Sequence, residues 1–203
     1  MKNIPYNYKT VQLLDGEQHG EEFLKINPMH QVPALQVVMD DGHSDLITQS
    51  LAIIEYLEEN YPNNSVFPKD SILRAKCRAI SETICGGIQP LQNLETLVDY
   101  TQPIDLPPLD AANRQKVARF WIGRKMENLE KLVKSTAGNY CVGDTITLAD
   151  ICLVPQMFNA RRFELDTSKF PLLEAIDKRL QEHKIFKDSH PLACPEAPKQ
   201  ENK

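Results

Sequence analysis

Residues 49–62 read Gln49-Ser50-Leu51-Ala52-Ile53-Ile54-Glu55-Tyr56-Leu57-Glu58-Glu59-Asn60-Tyr61-Pro62. Ser50, Ile53, Ile54, Leu57 and Tyr61 recur with helical spacing and define one apolar face, with Glu55, Glu58 and Glu59 outward. Pro62, which cannot continue a helix, stops it. The spacing predicts a helix over 50–61.

Toward the N-terminus the period changes. Ala34–Met39 and Leu46–Thr48 read as short strands joined by the turn Asp40-Asp41-Gly42, a hairpin signal. Glu17–Lys25 reads as a short helix or irregular turn, and Tyr6–Leu14, rich in β-formers, as another strand. Toward the C-terminus, Asn63–Asp70 has the composition of a linker. Beyond it only helical patterns recur: Ile72–Tyr100, Ala111–Ser135, Leu148–Phe158 and Leu172–His183, with a proline-rich loop over 101–108 and a loose tail over 194–203. The Gly86-Gly87 pair lies inside the first of these patterns. Each glycine there costs about 1 kcal/mol of helix stability, which points to close packing or a bend. The organisation expected is an α/β unit over 1–62, a linker over 63–70 and an all-helical unit over 71–203.

Composition narrows the function. The 203 residues are 41 % hydrophobic and 25 % charged, and a net charge of −5 with a sequence pI near 5.6 argues against nucleic-acid binding. The first residues lack the apolar run of a secretory signal, and no apolar stretch reaches membrane-spanning length. Cys77, Cys85, Cys141, Cys152 and Cys194 are odd in number and form no C-x-x-C pair. Reduced thiols in a cytoplasmic protein fit this pattern; a disulfide framework or a metal site does not.

Five short motifs carry possible chemistry, each with a plainer reading beside it. Val32-Pro33 precedes a strand, where proline most often marks an edge with an ordinary trans bond; a cis bond would instead turn Val32's backbone groups outward toward a peptide-like ligand. Ser50 can cap its helix, or the same N–H groups can hold a carboxylate. Thr147 to Asp150 forms a capping box with a structural role only. In Gly86–Leu94, amides interrupt an apolar pattern beside Pro90, and bind a polar ligand only if they face a cleft. Arg161 and Arg162 near a helix C-terminus suit the helix dipole, and either could clamp a carboxylate.

Taken together, Asn27-Pro28-Met29, Gln31-Val32-Pro33, the Gln49–Glu59 block, Gly86–Leu94, Tyr140–Asp144, Leu148-Ala149-Asp150, Val154-Pro155-Gln156, Asn159-Ala160, Arg162-Phe163 and Ser189-His190-Pro191 resemble the glutathione transferase superfamily. Within it they are similar to the zeta class, the maleylacetoacetate isomerases, over about residues 2–198. The resemblance implies a glutathione-transferase fold: a thioredoxin-like glutathione-binding domain followed by an all-α domain. It implies glutathione as cofactor and cis–trans isomerisation of maleylacetoacetate to fumarylacetoacetate in tyrosine and phenylalanine catabolism, with side transferase activity. Carried over by position, the glutathione-binding residues are Gln18, Val32, Pro33, Gln49, Ser50, Gln89, Asn93, Leu94 and Glu95, and Arg162 binds a substrate carboxylate. A cytoplasmic homodimer with no membrane or nucleic-acid partner is implied as well.

One departure stands at the front. The family begins with a strand, a Ser-Ser-Cys turn that lowers the thiol pKa, and a helix; Lys2–Tyr6 corresponds to the turn after that helix. The expectation is that the first β-α unit is missing and no catalytic residue is present. Tyr6–Leu14 would then lack its central neighbour. The alternative activity expected is that of an impaired form acting as a non-enzymatic dimerisation partner.

Overall fold

The computed structural model describes residues 1–99 and 106–193. The expected helix end at Tyr100, most of the 101–108 loop, Cys194 and the tail lie outside the described residues. The chain divides into two compact units, Met1–Ser65 and Val66–Lys203. No helix of the described residues is long and apolar enough to cross a membrane.

The first unit contains the helix α1 (Glu21–Leu24), the strands β1 (Ala34–Val38) and β2 (Ser44–Thr48), and the helix α2 (Ser50–Asn60). The hairpin forms as its turn chemistry requires. β1 and β2 pair antiparallel with Ala34 opposite Thr48 and Val38 opposite Ser44. Gly42 takes φ +84, the left-handed conformation that a side chain disfavours. Asp41 Oδ1 accepts the His43 N–H at 2.9 Å.

Tyr6–Leu14 does not form the expected strand: residues 1–12 carry no regular element, and Leu13–Asp15 is a 3₁₀ turn. A strand exists only where a neighbour accepts its ladder bonds, and the two strands present pair with each other. The outward placement of Glu58 also fails. Its carboxylate meets Lys2 Nζ at 2.7 Å, with the two side chains 8 % and 11 % exposed. Lys2 Nζ further donates to the carbonyls of Tyr61 and Asn63, at 2.5 and 3.2 Å, placing a cation at the C-terminal end of α2 where the dipole favours it. Ile53, Ile54 and Leu57 stay half-buried and Tyr61 is exposed. Among residues 1–65 only Asn27, at 2 % exposure, is buried.

The second unit is helical: α3 (Ser71–Cys85), α4 (Leu94–Asp99), α5 (Ala111–Lys134), α6 (Leu148–Arg162), α7 (Pro171–Gln181) and α8 (Lys184–Asp188). The expected continuous helix from Ile72 is broken. α3 ends at Cys85, and a 3₁₀ turn over Gln89–Gln92 precedes α4. A Cβ on Gly87 would come within 2.5 Å of the Thr83 carbonyl oxygen, so only glycine fits there. The core is built from single faces of these helices: Ile80 and Ile84 of α3, Ile122, Met126 and Leu129 of α5, Leu153 and Met157 of α6, and Leu173, Ile176 and Leu180 of α7. Burying each such side chain contributes about 1.5–3 kcal/mol. Val66 belongs to this core, and its carbonyl accepts the Leu148 N–H at 2.8 Å, so the middle of segment 63–70 packs on the helices. The capping box forms, with Asp150 accepting from the N–H and hydroxyl of Thr147, both at 2.8 Å, and from Cys141 N–H.

Candidate functional site

In the first unit the expected residues lie on three separate connections. Asn27, the one buried residue there, organises the middle loop. Its Nδ2 donates to the Gln31 carbonyl at 2.6 Å, and its Oδ1 accepts the Met29 N–H at 3.0 Å. That double tie is a side-chain-bonded turn of the type Asn favours. It leads into the Val32-Pro33 bond, which is cis. Val32 is 43 % exposed, and its N–H and C=O find no partner among the described residues.

The next loop delivers Gln49 and Ser50. Gln49 is the N-cap of α2 and holds φ +72, ψ 121, a positive-φ conformation costly for a side-chain-bearing residue. No side chain caps the helix. Ile53 N–H makes the first intrahelical bond, to the Gln49 carbonyl, leaving the N–H groups of Ser50, Leu51 and Ala52 without acceptors among the described residues. The capping reading of Ser50 therefore does not hold. The exposed serine hydroxyl and three N–H groups lie at the positive end of a helix, where the dipole favours an anion. Gln31 Oε1 lies 3.4 Å from Gln49 Nε2 and links the two loops.

Gln18 stands in the 3₁₀ turn Glu17–His19. Its carbonyl is 3.2 Å from His30 Nδ1, which is also 3.2 Å from His19 Nδ1. The Gln18 side-chain Oε1 is buried and unpartnered, an acceptor left without a donor. Asn27, Gln31 and the histidine pair escaped the sequence reading as positioning groups. The Asn-Pro dipeptide was the one signal that could have revealed Asn27.

In the second unit, Gln89 opens the 3₁₀ turn and is half-buried; Asn93, Leu94 and Glu95 are exposed. Gln92 faces neither water nor a cleft. Its amide and that of Gln156 on α6 exchange two hydrogen bonds, at 3.0 and 3.2 Å, inside the core, which fixes the turn carrying Gln89. The two arginines also separate. Arg161 donates to the Asp177 carboxylate, which is fully buried and also accepts from Gln181 Nε2 at 2.8 Å. Arg162, the last residue of α6, is exposed and makes no ion pair with a described residue. Among the described residues no trio of His, Cys, Asp or Glu is placed to hold a metal ion.

Comparison with known proteins agrees with this layout. Residues 1–60 match the family described as glutathione S-transferase, N-terminal domain, and residues 107–187 match its C-terminal domain. A probable maleylacetoacetate isomerase 2 of Drosophila melanogaster is 44 % identical over 200 residues, covering 98 % of this chain and 82 % of that protein. The maleylacetoacetate isomerase of Mus musculus is also 44 % identical, over 98 % of this chain and 86 % of its own length. Among solved structures, the maleylacetoacetate isomerase of Anaeromyxobacter dehalogenans with glutathione bound in its active site superposes with a TM-score of 0.85. It is 39 % identical, over 97 % of this chain and 88 % of that one.

Proposed function

We propose that this chain, which belongs to the glutathione S-transferase family among its maleylacetoacetate isomerases, binds glutathione and serves the cis–trans isomerisation of maleylacetoacetate. The observation that carries the reading is the uncapped N-terminus of α2, entered through the positive-φ residue Gln49. Such a backbone outlier persists where surrounding structure over-determines it, and those places are commonly ligand sites.

The residues fit the cofactor group by group. Ser50 and the free N–H groups of α2 suit its γ-glutamyl carboxylate, with Gln49 beside them. The unpartnered N–H and C=O of Val32, beside Pro33, suit the peptide-like cysteinyl part. The buried Oε1 of Gln18 is an acceptor for an N–H donor. For Gln89, Asn93, Leu94 and Glu95, whose turn is held by the Gln92–Gln156 pair, the support for a glutathione-binding role is family membership. Glutathione, when bound, supplies a thiol whose reversible addition to an activated alkene permits rotation about the former double bond.

Arg162 contributes the substrate end. Its guanidinium is free to form paired charge-assisted bonds to a carboxylate of a maleyl compound, whereas Arg161 is held by Asp177. Family membership supports a cytoplasmic homodimer with transferase activity on small α-halo acids.

Two measurements on the 203-residue chain test the reading. Titration calorimetry should show glutathione binding that Ser50→Ala weakens at least tenfold. A coupled assay with glutathione and maleylacetoacetate should show fumarylacetoacetate forming. Binding without turnover would restrict residues 1–203 to holding the cofactor. Failure to bind would overturn the proposal.

A further inference from the structure

Outside the glutathione-binding residues, the least expected chemistry lies in the helical unit. Cys85, the last residue of α3, has its sulfur 3.6 Å from that of Cys152 on α6, and both are free thiols. We propose that Cys85 and Cys152 form a reversible dithiol–disulfide site that takes a hydroperoxide as its oxidant.

The two sulfurs are already in van der Waals contact. A disulfide needs them near 2.0 Å, an approach of about 1.6 Å that the end of a helix can supply. Cys85 is placed for this, since the chain leaves the α-helix directly after it through Gly86-Gly87. The pair is also asymmetric. Cys85 is half-buried, while Cys152 is 6 % exposed. The hydrogen bond shared with the Cys152 thiol holds the Cys85 thiol below its ordinary pKa, against burial and the nearby Glu82 carboxylate. The same sharing, together with burial, pushes Cys152 up. Cys77 and Cys141 are fully buried, and burial raises both. The thiolate that a peroxide meets is therefore Cys85.

The chemistry balances. The Cys85 thiolate attacks one peroxide oxygen, the O–O bond breaks, and the alkoxide leaves as alcohol after taking a proton; Cys85 becomes a sulfenic acid. The Cys152 sulfur then attacks the Cys85 sulfur, the S–O bond breaks, and the departing hydroxide takes the Cys152 proton as water. Two thiols and one hydroperoxide give one disulfide, one alcohol and one water. A dithiol reductant reverses the oxidation.

The site has a structural consequence. Cys152 and Gln156 are one turn apart on α6. Gln156 already holds Gln92, so the disulfide would fasten the other end of the Gly86–Leu91 segment to the same helix.

Peptide mapping of the full chain tests this. The reduced protein is treated with equimolar hydrogen peroxide, digested without reductant and analysed by mass spectrometry. The expected product is a peptide pair joining Cys85 to Cys152, lighter by two hydrogens, found in monomeric protein and lost on adding dithiothreitol. In Cys152→Ser the linkage is absent and dimedone traps Cys85 as its sulfenic acid; in Cys85→Ser Cys152 remains a thiol. The proposal is overturned if wild-type protein carries oxidised Cys85 with no linkage. It is equally overturned if Cys85 links to Cys77, Cys141, Cys194 or a second molecule. The wild-type map decides the matter even if a variant fails to fold.

Discussion

Replacing Arg161 and Arg162 separately by alanine should produce opposite defects, although the residues are adjacent and chemically identical. The Asp177 side chain is fully buried, and Arg161 is the one cation paired with it among the described residues. Arg161→Ala leaves a buried carboxylate with one remaining donor, Gln181 Nε2, while its Oδ1 is already unpartnered. Breaking a buried pair from one side costs about 3–5 kcal/mol, and solvent access at the partly exposed arginine lowers this toward about 2–3 kcal/mol. For a chain of this size that corresponds to a melting temperature lower by about 4–12 °C. Removing the charge as well, in Arg161→Ala/Asp177→Asn, should recover part of the loss.

Arg162→Ala touches no ion pair and should stay within about 0.5 kcal/mol of the parent in stability. In the proposed role it would remove a charge-assisted contact to a substrate carboxylate, worth about 1.5–3 kcal/mol, so KM for a maleyl substrate should rise about 10- to 150-fold. Thermal denaturation and steady-state kinetics read the two effects independently; where turnover is too slow, binding of a dicarboxylate substrate analogue replaces KM. If Arg161→Ala loses substrate affinity at unchanged stability while Arg162→Ala does neither, the assignment is refuted.

Gln156→Leu should destabilise the helical unit by about 1–3 kcal/mol by stranding the Gln92 amide. The double variant Gln92→Leu/Gln156→Leu should be nearer the parent in urea denaturation; additive losses would contradict the paired-amide account. Gly87→Ala should cost about 1–3 kcal/mol through the forced contact with the Thr83 carbonyl, with a parent-like urea midpoint as the contrary result. Hydrogen exchange should show amides of residues 6–14 exchanging far faster than those of α3, α5 and α6, and strong protection there would defeat the account of that segment. Repeated with saturating glutathione, exchange should slow across residues 27–53 and change little in α5.

What could be read in advance was what is local. The 3.6 period of 50–60 and 111–134 fixes helices whatever surrounds them, and Asp41-Gly42 turns the chain by itself. Apart from the break after Cys85, the departures are matters of partnership. Tyr6–Leu14 has β-forming residues and no ladder to join. Glu58 looks solvent-facing on its own helix because Lys2, its partner, lies at the other end of the unit. The role of Gln92 stays open in the sequence because Gln156, its partner, is 64 residues away. Likewise Arg161 and Arg162 are equivalent until Asp177 claims one of them. Family resemblance singled out Ser50 and Val32, but only geometry removed the competing capping explanation for Ser50.

The two units are stabilised by different physics, and this bears on how the site works. The helical unit has an apolar core drawn from α3, α5, α6 and α7. Residues 1–65 bury one side chain fully, and that side chain is the polar Asn27. The loop bearing Val32, the entry to α2 and the chain start are held by Asn27, by the Gln31–Gln49 contact and by the Lys2–Glu58 pair. Satisfied polar ties of this kind specify shape well but contribute little net stability. A ligand that bonds Val32, Gln49 and Ser50 would therefore add a stabilising term to the unit that has least of its own. At a hundredfold excess over its dissociation constant that term is about 2.7 kcal/mol, comparable to burying one more large aliphatic side chain. Cofactor binding and ordering of the first unit should accordingly be one coupled equilibrium.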